Sequence, residues 1–561
     1  MKLRFILPGV LLGLISFQFI ACKENHQTEA LAQTELQKLG KIDFPTTCSD
    51  AAQKHFLTGV AALHSFWYPV ALKEFQASTK IDPNCMMGYW GEAMAHNHPI
   101  WGDPQETDAA RKVIEKIKMN DQLTEIERAW ISAVKILYAE GEKPDRDKAY
   151  AKAMEALHQK YPDDVEAALF YALAQMGAIS HEDPSGEQTR LHAGEIASKI
   201  FQQYPNHPGA AHYVLHAYDD PKHAKLALSA AQRYSQIAPA APHALHMPSH
   251  IFLQLGMWPE AAASNEESWA ASERWVKSKK LPAGQLDFHS LHWLGYVYLQ
   301  QGEYKKTEEL ITKMRENVNH IAPDDFRGST YGKMTLGSLA AAYVVEAERW
   351  DDIDNILPPP QIDDGDKEKL NPLKVYTAIA NIPSVFGHGM AEAARKSSDV
   401  HKKVEWLRSI QERTVDAKEP FVKEAVRVAE IQALEIQAMS ELAKNNLDTA
   451  VKIMKEATTL ENATPPPPGP PTIIKPSYEL FGEILLRAGR PQDAEQQFEI
   501  SLQRHRNRAR SLLGMARAAT QIGDTEKGAK YYAAFVQQWK SADSQLTELQ
   551  EAKKFTGQFK Q

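Results

Sequence analysis

The sequence predicts an all-α chain, a solenoid of stacked helical hairpins. Three observations carry that expectation. Pro205 and Pro239 stand 34 residues apart, helical patterns lie between and after them, and small residues recur where paired helices would cross. Of the 561 residues 43% are apolar and 24% charged, the balance of a folded chain with ample core. The formal charge of -8 leaves no basic excess to neutralise phosphates, which excludes nucleic acid as a partner.

Residues 1–22 stand apart from the array. Lys2 and Arg4 precede a mainly apolar run, Phe5 to Ile20, broken by Pro8, Ser16 and Gln18. The run falls short of the ~20 apolar residues a bilayer core requires and suits a secretion signal. Phe19-Ile20-Ala21-Cys22 resembles the lipobox of bacterial lipoproteins, with Phe19 in place of the usual Leu. That resemblance implies lipidation of Cys22 and a place in the bacterial cell envelope, on the periplasmic or outer-membrane face. A lipid is then the only membrane contact. A linker is expected over 23–47.

The first hairpin carries Gly59, Ala71, Phe75 and Pro83, a later one Gly256 and Ala261, and the C-terminal ones Gly482, Gly489, Ala494, Phe498 and Gly523. Leu291-His292-Trp293-Leu294-Gly295-Tyr296-Val297-Tyr298 adds an L-G-x-x-Y phrase, with Gly302 at the next turn. These features resemble the tetratricopeptide repeat, two antiparallel helices per unit of 34 residues, and imply a right-handed superhelix. "HYVLHAYDD", "LHSFWYPVAL" and "YWGEAMAHNHPIW" further resemble a subfamily of bacterial tetratricopeptide proteins of undefined biochemical function.

Units are placed near Ala52, Met86, Val165, Pro208, Pro242, Phe288, Lys475 and Ala509, with weaker ones near Ile131, Lys333 and Ile431. The array is expected to divide into 48–350, an irregular helical middle segment over 351–425 and a hairpin over 426–464. A proline-rich connector over 465–475 and a C-terminal pair over 476–545 complete it. Pro358-Pro359-Pro360 opens an acidic loop with Asp363, Asp364 and Asp366. "PPPPGPP", Pro465 to Pro471, cannot continue a helix and reads as a stiff spacer. Cys48 precedes the first helix of its unit and Cys85 follows the second, so both fall near one end of the hairpin. In an oxidising compartment they are a candidate disulfide.

Eleven of the twenty-one histidines lie between His181 and His292. His212, His216 and Asp219 share one helix face, as do His243, His246 and His250, and His289 lies three residues before His292. Counted from the unit starts, His212, His246 and His292 hold position 5, His216 and His250 position 9, and His243 and His289 position 2. In the resembled family those positions line the concave groove. His64 and His98 at position 13, and Glu479 and Glu483 at positions 5 and 9 of a C-terminal unit, are further groove candidates. Pro248 breaks the helical rule amid the cluster.

Neutral imidazole is a favoured ligand of zinc, copper and iron, and Asp219 or Asp220 can add a carboxylate. No CxxC, HExxH, Walker loop or GxSxG elbow is present. The leading expectation is an envelope-anchored repeat protein that binds a peptide, protein or small ligand in a histidine-lined groove, with or without a transition metal. The alternative is a metal-dependent hydrolase-like enzyme that pairs the histidines with a groove carboxylate.

Overall fold

A computed structural model describes residues 38–558 except 101–104, 181, 182, 184, 361, 363–369 and 418. The signal segment, Cys22, His181 and the acidic loop residues Asp363, Asp364 and Asp366 lie outside the described residues. Those described fold into helices and turns with no strand among them. No helix among them is long and apolar enough to cross a membrane.

The helices pair into antiparallel hairpins, and most contacts join elements adjacent or next but one in the chain. That is the signature of a solenoid of helical hairpins. Buried apolar residues accordingly form a ribbon. One stretch runs from Leu39 to Tyr298, a second from Trp269 to Ala552, and they interleave at the Phe288–Gln300 helix. Units begin at Asp50, Met86, Glu125, Val165, Pro208, Pro242, Phe288, Phe326, Pro420, Ser477 and Ala509. The middle segment is more regular than its sequence suggests: Pro372–Ala394 and Val400–Arg413 form a hairpin, with Pro383 inside the first helix.

Cys48 and Cys85 are disulfide-bonded, Cα to Cα 4.5 Å, and tie the entrance of the Asp50–His64 helix to the start of Met86–Met94.

The array closes on itself. Trp258 Nε1 donates to Asn507 O at 3.1 Å, and the Ala509 amide donates to Gln300 Oε1 at 3.0 Å. Gln254 Nε2 donates to Pro467 O at 3.0 Å. The proline-rich stretch is therefore no free spacer. It lies across the hairpins that carry the histidines.

Candidate metal centre

Three consecutive first helices of the hairpins supply the site: Pro208–Ala217, the broken pair Pro242–His246 and Pro248–Gln254, and Phe288–Gln300. Pro at the first helical position suits each of the first two starts, since its missing N–H has no partner there anyway. Pro248 ends the helix at His246, and the chain resumes after Met247. The His250 amide then donates to Met247 O at 3.1 Å.

Six imidazoles assemble into two trios, His212 with His216 and His243, and His246 with His250 and His289. Within each, one ring nitrogen from every residue lies within 4.8 Å of the others. The trios are one motif used twice: positions 5 and 9 of a unit with position 2 of the next. The equivalent rings of His216 and His250 are 6.4 Å apart, and His243 and His246 6.2 Å.

Hydrogen bonding fixes what these rings present. Asn265 Nδ2 donates to Ala261 O at 2.8 Å, which aims Oδ1 at His246 Nδ1, 2.6 Å away. His246 Nδ1 is therefore a donor. His250 Nδ1 meets Asp219 Oδ2 at 2.6 Å, and His212 Nδ1 donates to His64 O at 2.6 Å. In these three rings Nε2 is the nitrogen turned towards the neighbouring imidazoles. The Nε2 atoms of His246 and His250 face each other at 3.1 Å, those of His212 and His243 at 3.1 Å. His216 Nε2 is buried with no hydrogen-bond partner among the described residues. A second bond holding each ligand imidazole is how proteins set tautomer and ring orientation at a metal.

Burial, the largest cause for every ring, pushes the six imidazoles below the ordinary histidine pKa, and neighbouring imidazoles add to it for five of them. His216 falls to about 3. Neutral rings keep the lone pair a metal needs. Burial pushes Asp219 up to about 7, against the pull of His216 and the Gln254 hydrogen bond. A cation at His250 Nε2 favours the arrangement in which Nδ1–H donates to the carboxylate.

Aromatic rings wall both trios. Phe66 stacks on His216 at 5.5 Å and on His243 at 5.7 Å. The Trp293 indole lies 4.8, 4.2 and 5.3 Å from His246, His250 and His289. Gly469 of the proline-rich stretch sits so close to that indole that a Cβ would fall 2.3 Å from it.

Other expected site residues take different places. Asp219 is not in either trio; it backs His250. Asp220 is engaged by Arg190 at 2.6 Å and His223 at 2.8 Å. His292, pushed to about 4 mainly by burial, joins no trio, because position 9 of its unit is Tyr296, whose hydroxyl meets Arg508 at 3.2 Å. His98 packs on Tyr68 at 4.3 Å.

His64 is fully buried rather than groove-lining. Its Nε2 donates to Glu166 Oε2 at 2.7 Å while Nδ1 meets the Tyr213 hydroxyl at 2.8 Å. His207 Nε2 donates to Glu166 Oε1 at 2.9 Å, its Nδ1 accepting from the Ala210 amide. Gly209 makes room for the His64 ring, which a Cβ there would meet at 2.3 Å. His64, Glu166 and His207 have metal-ligand spacing, yet their nitrogens are already satisfied, so this triad is structural. The expectation for Glu479 and Glu483 is likewise corrected. Glu479 is buried against Lys475 at 2.9 Å and Arg508 at 2.8 Å, Glu483 bonds Lys475 at 2.7 Å, and Arg508 also pairs with Glu346. These charges lock the closing hairpins and do not reach the histidines.

Sequence reasoning missed the histidines' supports, Asn265 and Gln254, and their cover, Trp293 with residues 467–469. Only the prolines carried a signal.

No protein-family model matches the sequence, and no curated protein matches it. Among solved structures the chain is similar to the human IFIT1 dimer with m7Gppp-AAAA, at 13% identity and a TM-score of 0.31 over 91% of this chain and 94% of that one. It is also similar to the P58(IPK) TPR domain, at 13% identity and a TM-score of 0.21 over 71% and 99%. Yeast Tom70 aligns at 10% identity and a TM-score of 0.22 over 91% and 89% of the two chains.

Proposed function

We propose that this chain binds transition-metal ions, one at each histidine trio, in the groove of its helical solenoid. One observation carries the reading: His246 commits Nδ1 to Asn265 and turns its Nε2 lone pair on His250 Nε2, 3.1 Å away, with His289 beside them. At that distance the two nitrogens share either a proton or a cation. The separation suits two nitrogens bound to one ion at the usual ~2.0–2.1 Å. In the first trio His212 Nε2 and His243 Nε2 stand at the same 3.1 Å, beside the buried His216 Nε2, for which no hydrogen-bond partner is found among the described residues.

Each trio offers three neutral nitrogens, a donor set that suits zinc, copper, iron or nickel. Asp219, Asn265 and the His64 carbonyl orient the rings and keep them fixed when an ion leaves. The reading is of a metal-binding scaffold held in the cell envelope by a lipid on Cys22. The Cys48–Cys85 disulfide agrees with an oxidising compartment.

The test is elemental analysis of tag-free protein dialysed against zinc and copper together, with both metals counted, beside His212→Ala and His246→Ala. Two equivalents are expected in the parent and one in each variant. Parent protein that retains no metal, or variants that retain all of it, defeats the reading.

A further inference from the structure

We propose that the His246, His250 and His289 trio is a site for monovalent copper, Cu(I). The proposal rests on the metal-binding reading and assigns the ion's charge and coordination number at one of its two sites.

The first observation is the charge of the donors. All three ligands are neutral imidazoles. The nearest carboxylate, Asp219, is taken up by His250 Nδ1 at 2.6 Å and by Gln254 Nε2 at 3.4 Å. An ion here is buried, with His246 1% exposed and His250 9%, and the carboxylates that act on its ligands are Asp219 behind His250 and Asp287 beside His246 and His289. The cost of desolvating a charge rises with its square, so a dication suffers four times the penalty of a monocation.

The second observation is what covers the site. Zinc on three histidines completes its tetrahedron with water. Here the Trp293 indole packs on all three rings, and Gly469 presses on that indole from outside. Gln254 engages the Pro467 carbonyl and His250 the Pro468 carbonyl, so both oxygens of this cover are taken up. An aromatic face and proline rings make a poor seat for a bound water and a good wall for a soft cation. Cu(I), with a filled d shell, is content with three nitrogens.

The third observation is the neighbour. The first trio stands one repeat away, with rings 6.2 and 6.4 Å from those of the second. Repulsion between two ions scales with the product of their charges, so a monovalent ion at the covered site permits a divalent one at the other. Two members of that first trio, His216 and His243, are partly exposed, against His289 alone in the second, which leaves the first more room for a water ligand.

The test uses metal-stripped full-length protein under anaerobic conditions. Cu(I) is titrated in competition with bicinchoninate, and Zn(II) in competition with a chromophoric zinc chelator. The variants are His289→Ala, His243→Ala and Gly469→Ala. The expected result is one tight Cu(I) per chain, lost in His289→Ala and kept in His243→Ala. Its X-ray absorption spectrum should show three nitrogens and no fourth ligand. Zn(II) should stop at one equivalent, lost in His243→Ala. Gly469→Ala should let a fourth ligand reach the copper. Zn(II) filling both trios, Cu(I) surviving His289→Ala, or a four-coordinate copper in the parent overturns the assignment while leaving metal binding intact. Protein that takes up neither ion defeats the underlying reading as well.

Discussion

Replacing Glu166 is expected to cost stability without touching the metal sites. Its carboxylate, 1% exposed, accepts from His64 at 2.7 Å and His207 at 2.9 Å. In Glu166→Ala both imidazole N–H groups lose their acceptor in the interior, at ~1–3 kcal/mol each. Breaking a buried charged cluster by removing one member costs a comparable ~3–5 kcal/mol. Titration gives a third route to the magnitude. Burial, the largest influence on Glu166, acts upward but is outweighed by His207 and His64, which hold its pKa at about 2 against 4.5 for an ordinary glutamate. A gap of that size corresponds to ~3 kcal/mol. Because the folded pKa is the lower one, this stabilisation is fully present above pH 4.5 and disappears as pH falls from there towards 2. Glu166→Gln should cost less, ~1 kcal/mol, because His64 can change tautomer against a Tyr213 hydroxyl able to donate or accept. The assay is urea unfolding at pH 7 and at pH 3, followed by fluorescence of Trp90 and Trp130. Both indoles lie 5.5 Å from Phe170, which packs on His64 at 4.8 Å. The two variants should differ clearly at pH 7, and the gap between Glu166→Ala and the parent should narrow at pH 3 without closing. An alanine variant within ~1 kcal/mol of the parent at pH 7, or one that loses metal while folded, would refute the argument.

Asp219→Ala should weaken metal binding at the second trio ~10–100-fold, through loss of the bond to His250 Nδ1, and affect the first trio less, through the charge lost beside His216; competition titration reads both. Reducing the Cys48–Cys85 bond frees a loop with a sequence separation of 37 residues. Chain entropy puts the loss at ~4 kcal/mol, measurable as a lower urea midpoint with reductant present. Glu435 is buried and pushed well above the ordinary glutamate pKa, mainly by burial, with Glu461 adding to it. A raised folded pKa means stability is lost as pH rises above the unfolded value, so Glu435→Gln should stabilise the protein at pH 8 and change little at pH 4. Adding metal at ~100 times its dissociation constant should stabilise the folded chain by ~2.7 kcal/mol per site, an effect absent from the His212→Ala, His246→Ala double variant.

The hairpin architecture was legible in the sequence because its causes are local. Helical phase, glycine turns at Gly256 and Gly302 and the spacing of prolines all act within one unit. The same phase put the six trio histidines on one face, since positions 2, 5 and 9 of successive first helices point the same way. His292 shows where phase stops informing: it has the right position, but Tyr296 stands where a partner imidazole is needed. Asp219 shows a second limit, because spacing alone does not separate a ligand from the residue behind a ligand. Glu479 shows a third, since its environment is made by Arg508 and Glu346, and the latter lies 133 residues away in the chain. The cover on the second trio depends on Gln254 meeting Pro467 across 213 residues, a pairing set by the closure of the whole superhelix.

That closure bears on how the molecule comes apart. An open repeat array frays from either tip, shedding one unit at a time. Here the last hairpins are fastened to the middle of the ribbon at Trp258 and Gln300, and the first hairpin to the Pro208–Ala217 helix through His64, so neither tip of the described chain is left to fray alone. Melting that begins at the C-terminal units must first unfasten the clasp that passes over Trp293, which makes the integrity of that clasp and the shelter of the histidines a single event.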